Sequence, residues 1–220
     1  PPARNLSELL PVLATEKKAK GVKLKYGFNH RYHQSVRESL DIISSGQMGK
    51  VINIRGVYGK SNLITFDQTD WQTKYEIAGG GILLDQGIHM VDLLRLFGGD
   101  YSKVYSFISN EYWKYDVEDN AYALMKSTDG VVAMLHSSAT QWQHKFRLEV
   151  GLERGILTLS GILSGSQSYG KETLTILNAD SQQQLNYDSE IQRIYEKDNS
   201  WREEILDFAN DILLNREIAT

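Results

Sequence analysis

The chain has 220 residues, 41% of them hydrophobic and 24% charged, enough apolar mass for one large domain or one domain plus a fragment of another. A net charge of −4 and an isoelectric point near 5.8 exclude the basic surface that nucleic acid or anionic lipid requires, and no apolar run approaches the ~18 residues of a membrane span. The absence of cysteine excludes disulfides, thiolate catalysis and cysteine-ligated metals, and "PPARNLSELL" lacks the pattern of a signal peptide. A cytoplasmic location fits this composition.

Asn5 followed by Glu8 reads as a capping box for a first helix running to Lys20, kinked at Pro11 and stopped by Gly21. "VKLKYGF" then predicts a short strand. Val36, Leu40 and Ile43 share one face of a helix expected over 34–45 and ended by Gly46. "GKVINIRGVYGK" reads as a strand, followed by a polar, aromatic loop to Ile77. Residues 79–99, "GGGILLDQGIHMVDLLRLFGG", predict a long buried helix, because apolar residues occupy nearly every side of it.

From 103 to 188 the texture turns to β, in "KVYSFIS", "NAYALMKS", "GVVAMLHSSA", "KFRLEVGL", "GILTLSG" and "TLTILN", with turn signals such as Asp129-Gly130 and Gly161 between runs. A last helix, capped by Ser200 with Glu203 three residues on, presents Trp201, Ile205, Phe208 and Ile212 on one face. Consecutive strands with helices grouped before and after them predict an α+β fold: a large, mostly antiparallel open sheet with helices on one face. The strands "YALM" and "VVAML" alternate little, so the second face is expected to be covered by another copy, as a homodimer or homotetramer.

The polar residues of the buried helix ask for an explanation. At about 100° per residue, Asp85, His89 and Asp92 emerge within roughly 60° of one another. One reading is proton transfer, with a carboxylate holding and tuning an imidazole. Another is a metal site, which needs a further ligand from elsewhere. The third is structural: Asp85 favoured by the helix dipole, His89 and Asp92 bonded to loops. Gly87 costs a helix about 1 kcal/mol relative to alanine, which points to close packing or close approach by a ligand. The glycine triplet at 79–81 lacks both the Gly-x-Gly-x-x-Gly pattern and the preceding strand of a nucleotide-binding loop.

"YGFNHRYHQSVRESLDIISSGQMGKV", "GGGILLDQGIHMVDLLRLFGG", "VEDNAYALM" and "RLEVGLERGILTLSG", in that order, resemble the carboxy-terminal half of the Gfo/Idh/MocA oxidoreductases. The resemblance covers residues 1 to about 215, and its most specific part is Asp-x-x-x-His-x-x-Asp behind a glycine triplet. It implies a parent protein in which a Rossmann domain binds NAD or NADP and an open-sheet domain binds a sugar, cyclitol or related alcohol between the two. Residues 1–27 are then the end of the Rossmann domain, 28–220 the substrate-binding and oligomerisation domain. The family's Glu-Lys-Pro lysine would lie upstream of Pro1.

Carried over, the resemblance makes His89 the acid/base on the substrate hydroxyl and Asp85 the carboxylate beside it, with Asp92 in support or as a weaker substrate contact. It places Asn29, His30, Arg31, Tyr58, Lys60, Trp142 and His144 as substrate contacts, with Asn29 and Arg31 also bordering the nicotinamide. His30 stands where arginine is frequent. It implies no bound metal and no cofactor held by this chain alone. Three other readings stand beside it: NAD-assisted hydrolysis or dehydration on the same fold, a metal-dependent isomerase or lyase, and a non-catalytic interaction module.

Overall fold

The computed structural model describes residues 3–19, 21–62, 71–179, 184 and 190–218. The first helix, α1 (Leu6–Lys18), is capped as expected: the Asn5 side chain accepts from the Glu8 amide, and Pro11 lies inside it. Its expected end at Lys20 lies outside the described residues, as do 63–70 of the loop before Ile77 and most of 180–189. Next come α2 (Gln34–Ser44), β1 (Val51–Gly59), a single turn of helix α3 (Tyr75–Ala78) and the expected buried helix, α4 (Ile88–Gly98). Six expected strands follow as β2 (Tyr101–Ser109), β3 (Asn120–Ser127), β4 (Val132–Ser138), β5 (Lys145–Leu152), β6 (Gly155–Ser160) and β7 (Glu172–Asn178). After β8 (Ile191–Tyr195), helix α5 (Ser200–Leu213) ends the described fold.

All eight strands form one open sheet in the order β2-β3-β4-β1-β5-β6-β7-β8. Only β1 and β4 run parallel; every other neighbouring pair is antiparallel. The fold is therefore α+β with a mostly antiparallel sheet. One face carries α2, against β6 and β7, and α4, against β1 and β4. Ile54, Leu135, Phe146, Leu148, Leu157 and Leu174 point from the sheet into the core, where Val36, Met90, Leu93 and Leu94 meet them. The "YALM" and "VVAML" strands alternate in burial although not in polarity. Ala121, Met125, Ala133 and Leu135 turn inward, whereas Tyr122, Leu124 and Met134 lie exposed on the other face. Among the described residues no helix is long and apolar enough to cross a membrane.

The structure departs from the sequence reading in four places. "VKLKYGF" forms no strand among the described residues: its β-like composition finds no neighbouring strand to hydrogen-bond. Strand β8 was not expected, because "IQRIY" is a short edge strand with four of its five residues exposed and no apolar alternation to mark it. Ser200 is the first residue of α5 rather than its cap. Its amide is satisfied by Asp198 and its hydroxyl accepts from Asn29. The apolar stripe read on one face of this helix is largely outward, with Trp201, Ile205 and Ile212 exposed, while Ser200, Glu204 and Asp211 are buried. The inner face of α5 is polar because it receives Lys25 and the Phe28 amide, groups that need acids.

The glycine triplet answers to close packing. A Cβ at Gly81 would lie 2.0 Å from the Glu118 carbonyl oxygen, and one at Gly87 2.7 Å from Ser137 Oγ. Gly81 thus lets Glu118 reach the start of the buried helical segment, where its carboxylate accepts from the Gly81 and Leu83 amides at 2.7 and 3.0 Å. Gly81→Ala should destabilise the protein by about 2 kcal/mol or more, because the obstructing atom is backbone and cannot step aside. A denaturant midpoint equal to that of the unsubstituted chain would contradict this packing.

Candidate active site

Three pieces of chain meet at the site. One is a 3₁₀ turn, Asn29–Tyr32; the second is the end of β1 with Lys60; the third is the start of the buried helix. That start is not α-helical. Leu83–Gly87 form a π turn before α4 begins, an irregularity that often accompanies function. Asp85 lies in this turn, and His89 and Asp92 in the α-helix that follows it.

Each carboxylate instead takes its own cation. Asp85 Oδ2 accepts from Lys60 Nζ at 2.7 Å, and Gln72 Nε2 approaches the other oxygen at 3.4 Å. Asp92 receives Arg31 in a two-pronged pair, Nε at 2.7 Å and Nη2 at 2.5 Å, which ties α4 to the 3₁₀ turn. His89 stands between these pairs without a hydrogen bond to either. Among the described residues no group of three or more His, Asp or Glu could hold a metal ion, and both acids of the helix are engaged by cations.

His89 lines a pocket of about 300 Å³ together with Lys25, Tyr26, Phe28, Asp85 and Ile88. Its Nδ1 is buried with no hydrogen-bond partner, which leaves Nε2 as the ring nitrogen able to meet a ligand. Burial pushes its pKa below the ordinary histidine range, and His33 adds to that, while Asp92 and Asp85 partly oppose it. His30 stacks on His89, ring centroids 4.2 Å apart and planes 14° from parallel. Burial drives His30 well below the ordinary value, with His89 and His33 contributing.

The residues expected from the sequence divide into groups. Asp85 and His89 line the pocket, and Lys60 and Asp92 hold it together from behind. Asn29, His30 and Tyr58 are buried under it. The Asn29 amide donates to Ser200 Oγ at 3.1 Å, and His30 sits between Asn29 Oδ1 and Tyr58 Oη, 3.2 Å from each. Trp142 and His144 are not among the pocket's lining. Trp142 is exposed, edge-on to Tyr112, and His144 bridges Ser61 and Ser168 at 2.9 and 2.8 Å. Sequence reasoning missed Lys25, Tyr26 and Phe28, because the segment holding them reads as a plain strand. It also missed Glu172, whose carboxylate bonds His33 and the Ser35 amide at 2.8 Å each.

Neutral buried imidazoles carry a pH signature. The unfolded chain binds more protons than the folded one between their depressed folded values and about pH 6.5, so stability rises with pH through that window. It is complete above the window and is lost as pH falls. Denaturant midpoints should therefore drop as pH is lowered from 7.5 towards 5, and His30→Phe should flatten the slope; a slope identical in both proteins would contradict a neutral, buried His30.

Comparison with known proteins places this geometry in a family. The chain is 28% identical over 169 residues to 1,5-anhydro-D-fructose reductase of Ensifer adhaerens, covering 74% of this chain and 48% of that protein. It is 28% identical over 93 residues to levoglucosan dehydrogenase of Pseudarthrobacter phenanthrenivorans, covering 42% of this chain and 24% of that protein. A crystal structure of a putative NADPH-dependent oxidoreductase from Desulfitobacterium hafniense superposes with a TM-score of 0.84 at 20% identity, over 99% of this chain and 62% of the other. Levoglucosan dehydrogenase in complex with NADH and levoglucosan superposes at 0.76 and 18% identity, over 92% of this chain and 60% of the other. The chain thus spans about half the length of the reductase it matches and three fifths of these structures. Residues 36–158 match the model of the GFO/IDH/MocA C-terminal domain, and the chain belongs to that family.

Proposed function

We propose that this chain is the substrate-binding half of an NAD(P)-dependent oxidoreductase that interconverts an alcohol and a carbonyl on an uncharged sugar, cyclitol or sugar derivative. The observation that carries it is His89, a neutral imidazole in the pocket wall with only Nε2 available to a ligand. The names of the relatives point to the same chemistry: a reductase of 1,5-anhydro-D-fructose and a dehydrogenase solved with NADH and levoglucosan. Residues 1–27 are the end of a nucleotide-binding domain in this reading, and 28–220 the substrate and oligomerisation domain.

A bound nicotinamide carries the hydride in such a reaction. Phe28 and Ile88, which line the pocket beside His89, would offer such a ring apolar surface. Asn29 and Arg31, expected at the nicotinamide, bond Ser200, His30 and Asp92. The chain's own work is on the substrate oxygen. His89 Nε2 takes the hydroxyl proton as the carbonyl forms and returns it in the reverse direction. Asp85, held in place by Lys60, accepts a hydrogen bond from a neighbouring hydroxyl and orients the ring.

Charge supports an uncharged substrate. Lys25 is bonded to Asp207, Arg31 to Asp92 and Lys60 to Asp85, so each cation near the pocket already faces a carboxylate. In the whole enzyme, His89→Ala should lower turnover by about 10² to 10⁴ while moving the denaturant midpoint little. Near-normal turnover with a large loss of stability would overturn the assignment. On the same enzyme, kcat/KM for a neutral sugar should exceed that for the matching sugar acid; the reverse order would refute the charge argument.

The open sheet face supports self-association. Edge strand β2 exposes Val104, Tyr105, Phe107 and Ile108, and a concavity of about 510 Å³ runs from Tyr105 and Phe107 past Tyr122 and Leu124 to Met134. Apolar edges of this kind need covering. Light scattering at micromolar concentration should give a dimer or tetramer, and a monomer would count against this surface.

A further inference from the structure

We propose that His30 is a positioning residue for His89: anchored by Asn29 and Tyr58, its ring forms a fixed, dry floor that sets the plane of the His89 imidazole and leaves Nε2 alone addressing the pocket. The inference takes its functional meaning from the proposed role of His89.

The anchoring is specific to an imidazole. Because the Asn29 amide nitrogen donates to Ser200, its oxygen faces His30 Nδ1 and accepts the ring proton there. His30 Nε2 is then the acceptor for the Tyr58 hydroxyl, which burial holds in its protonated form. Both nitrogens are thus occupied in a single tautomer, and the ring cannot turn without breaking two hydrogen bonds.

His30 is wedged from the sides as well. His33 meets it edge-on at 5.6 Å, Phe146 lies at 6.1 Å, and His33 is itself held by Glu172 from β7. The free face of His30 carries His89 at 4.2 Å, and Phe28 closes on His89 edge-on at 5.9 Å. His89 therefore sits in a two-sided aromatic clamp, with its unbonded Nδ1 sealed inside. A phenylalanine at position 30 could fill the space but would have no polar edge to fix it.

The charged and titratable groups around His89 are Asp85 and Asp92 from its own helical segment, His30 and His33 from the opposite wall, and Lys25 across the pocket, itself bonded to Asp207. Neither carboxylate bonds the ring. The stack and the burial it enforces are then the contacts that hold His89 in place and neutral.

The test is histidine-ring NMR of this chain, with ring ¹³C label and the His89 signals assigned through His89→Gln. In the unsubstituted chain, His89 protons should be displaced by the ring current of His30 and titrate below the ordinary range. His30→Ala admits water beneath the ring, so the displacement should vanish and the midpoint should rise by about half a unit or more towards 6.5. If His30 only fills space in the core, His30→Ala lowers the denaturant midpoint and leaves the shift and titration of His89 unchanged, which would overturn the proposal.

If His30→Ala does not fold, Tyr58→Phe removes only the hydroxyl that His30 Nε2 accepts from; His89 ring signals should still move, and unmoved signals would again refute the link. These signals report the ring and not turnover. A failure of the acid/base role, seen as near-normal turnover in His89→Ala, is therefore distinguishable from a failure of the His30 link.

Discussion

Two carboxylates on one helical segment each meet a cation, and that pairing organises the whole site. An unpaired buried carboxylate would cost several kcal/mol, which Asp92 avoids through Arg31, and the half-buried Asp85 takes Lys60 from a different part of the chain. Lys60 comes from the end of β1 and fixes the π turn to the sheet. Arg31 comes from the 3₁₀ turn and fixes α4 to the segment that carries Asn29 and His30. His89, between the two pairs, keeps a buried Nδ1 without a hydrogen-bond partner, and burial lowers its pKa.

The π turn follows from the way the buried helix meets the sheet. Gly87 sits against Ser137 of β4, and Gly81 against the backbone of Glu118 just before β3, so the segment between them is fixed at both ends. Glu118 satisfies its first amides, and Ser137 Oγ donates to the Ile82 carbonyl. One residue more than an α-turn is accommodated between these anchors, which swings Asp85 towards Lys60. The glycines are therefore a condition for the ion pair and not only for packing.

Much of this was legible in the sequence. The apolar runs of β2 to β7 are long, bounded by turn residues and consistent with one another, and α1 carries a clear start signal at Asn5. The polar seam of Asp85, His89 and Asp92 was visible as three polar residues in an apolar segment. What periodicity could not carry is the π turn, because a fixed 100° step has no place for an extra residue. It also could not carry the inverted face of α5. Trp201, Ile205 and Ile212 look like a core stripe, yet the side that packs is chosen by Lys25 and the Phe28 amide, distant groups that require Asp207, Asp211 and Glu204. β8 gave no signal, since a short polar edge strand is stabilised only by its neighbour β7.

The pairing of charges also bears on how such a pocket would select a ligand. Among the described residues, Lys25, Arg31 and Lys60 near the pocket each face a carboxylate, which weakens their long-range attraction for an anion. Selection then has to come from directional hydrogen bonds at fixed atoms, chiefly Asp85 as acceptor and His89 Nε2. A site of that kind rejects an analogue lacking the matching hydroxyl far more strongly than a site that recognises bulk, because the buried polar group is left unsatisfied. Its selectivity depends on how firmly those two atoms are held. Asp85 is held by an ion pair and His89 by a stacked ring. In the proposed reading, the buried residues Asn29, His30 and Tyr58 would bear on ligand choice through the hold they give His89.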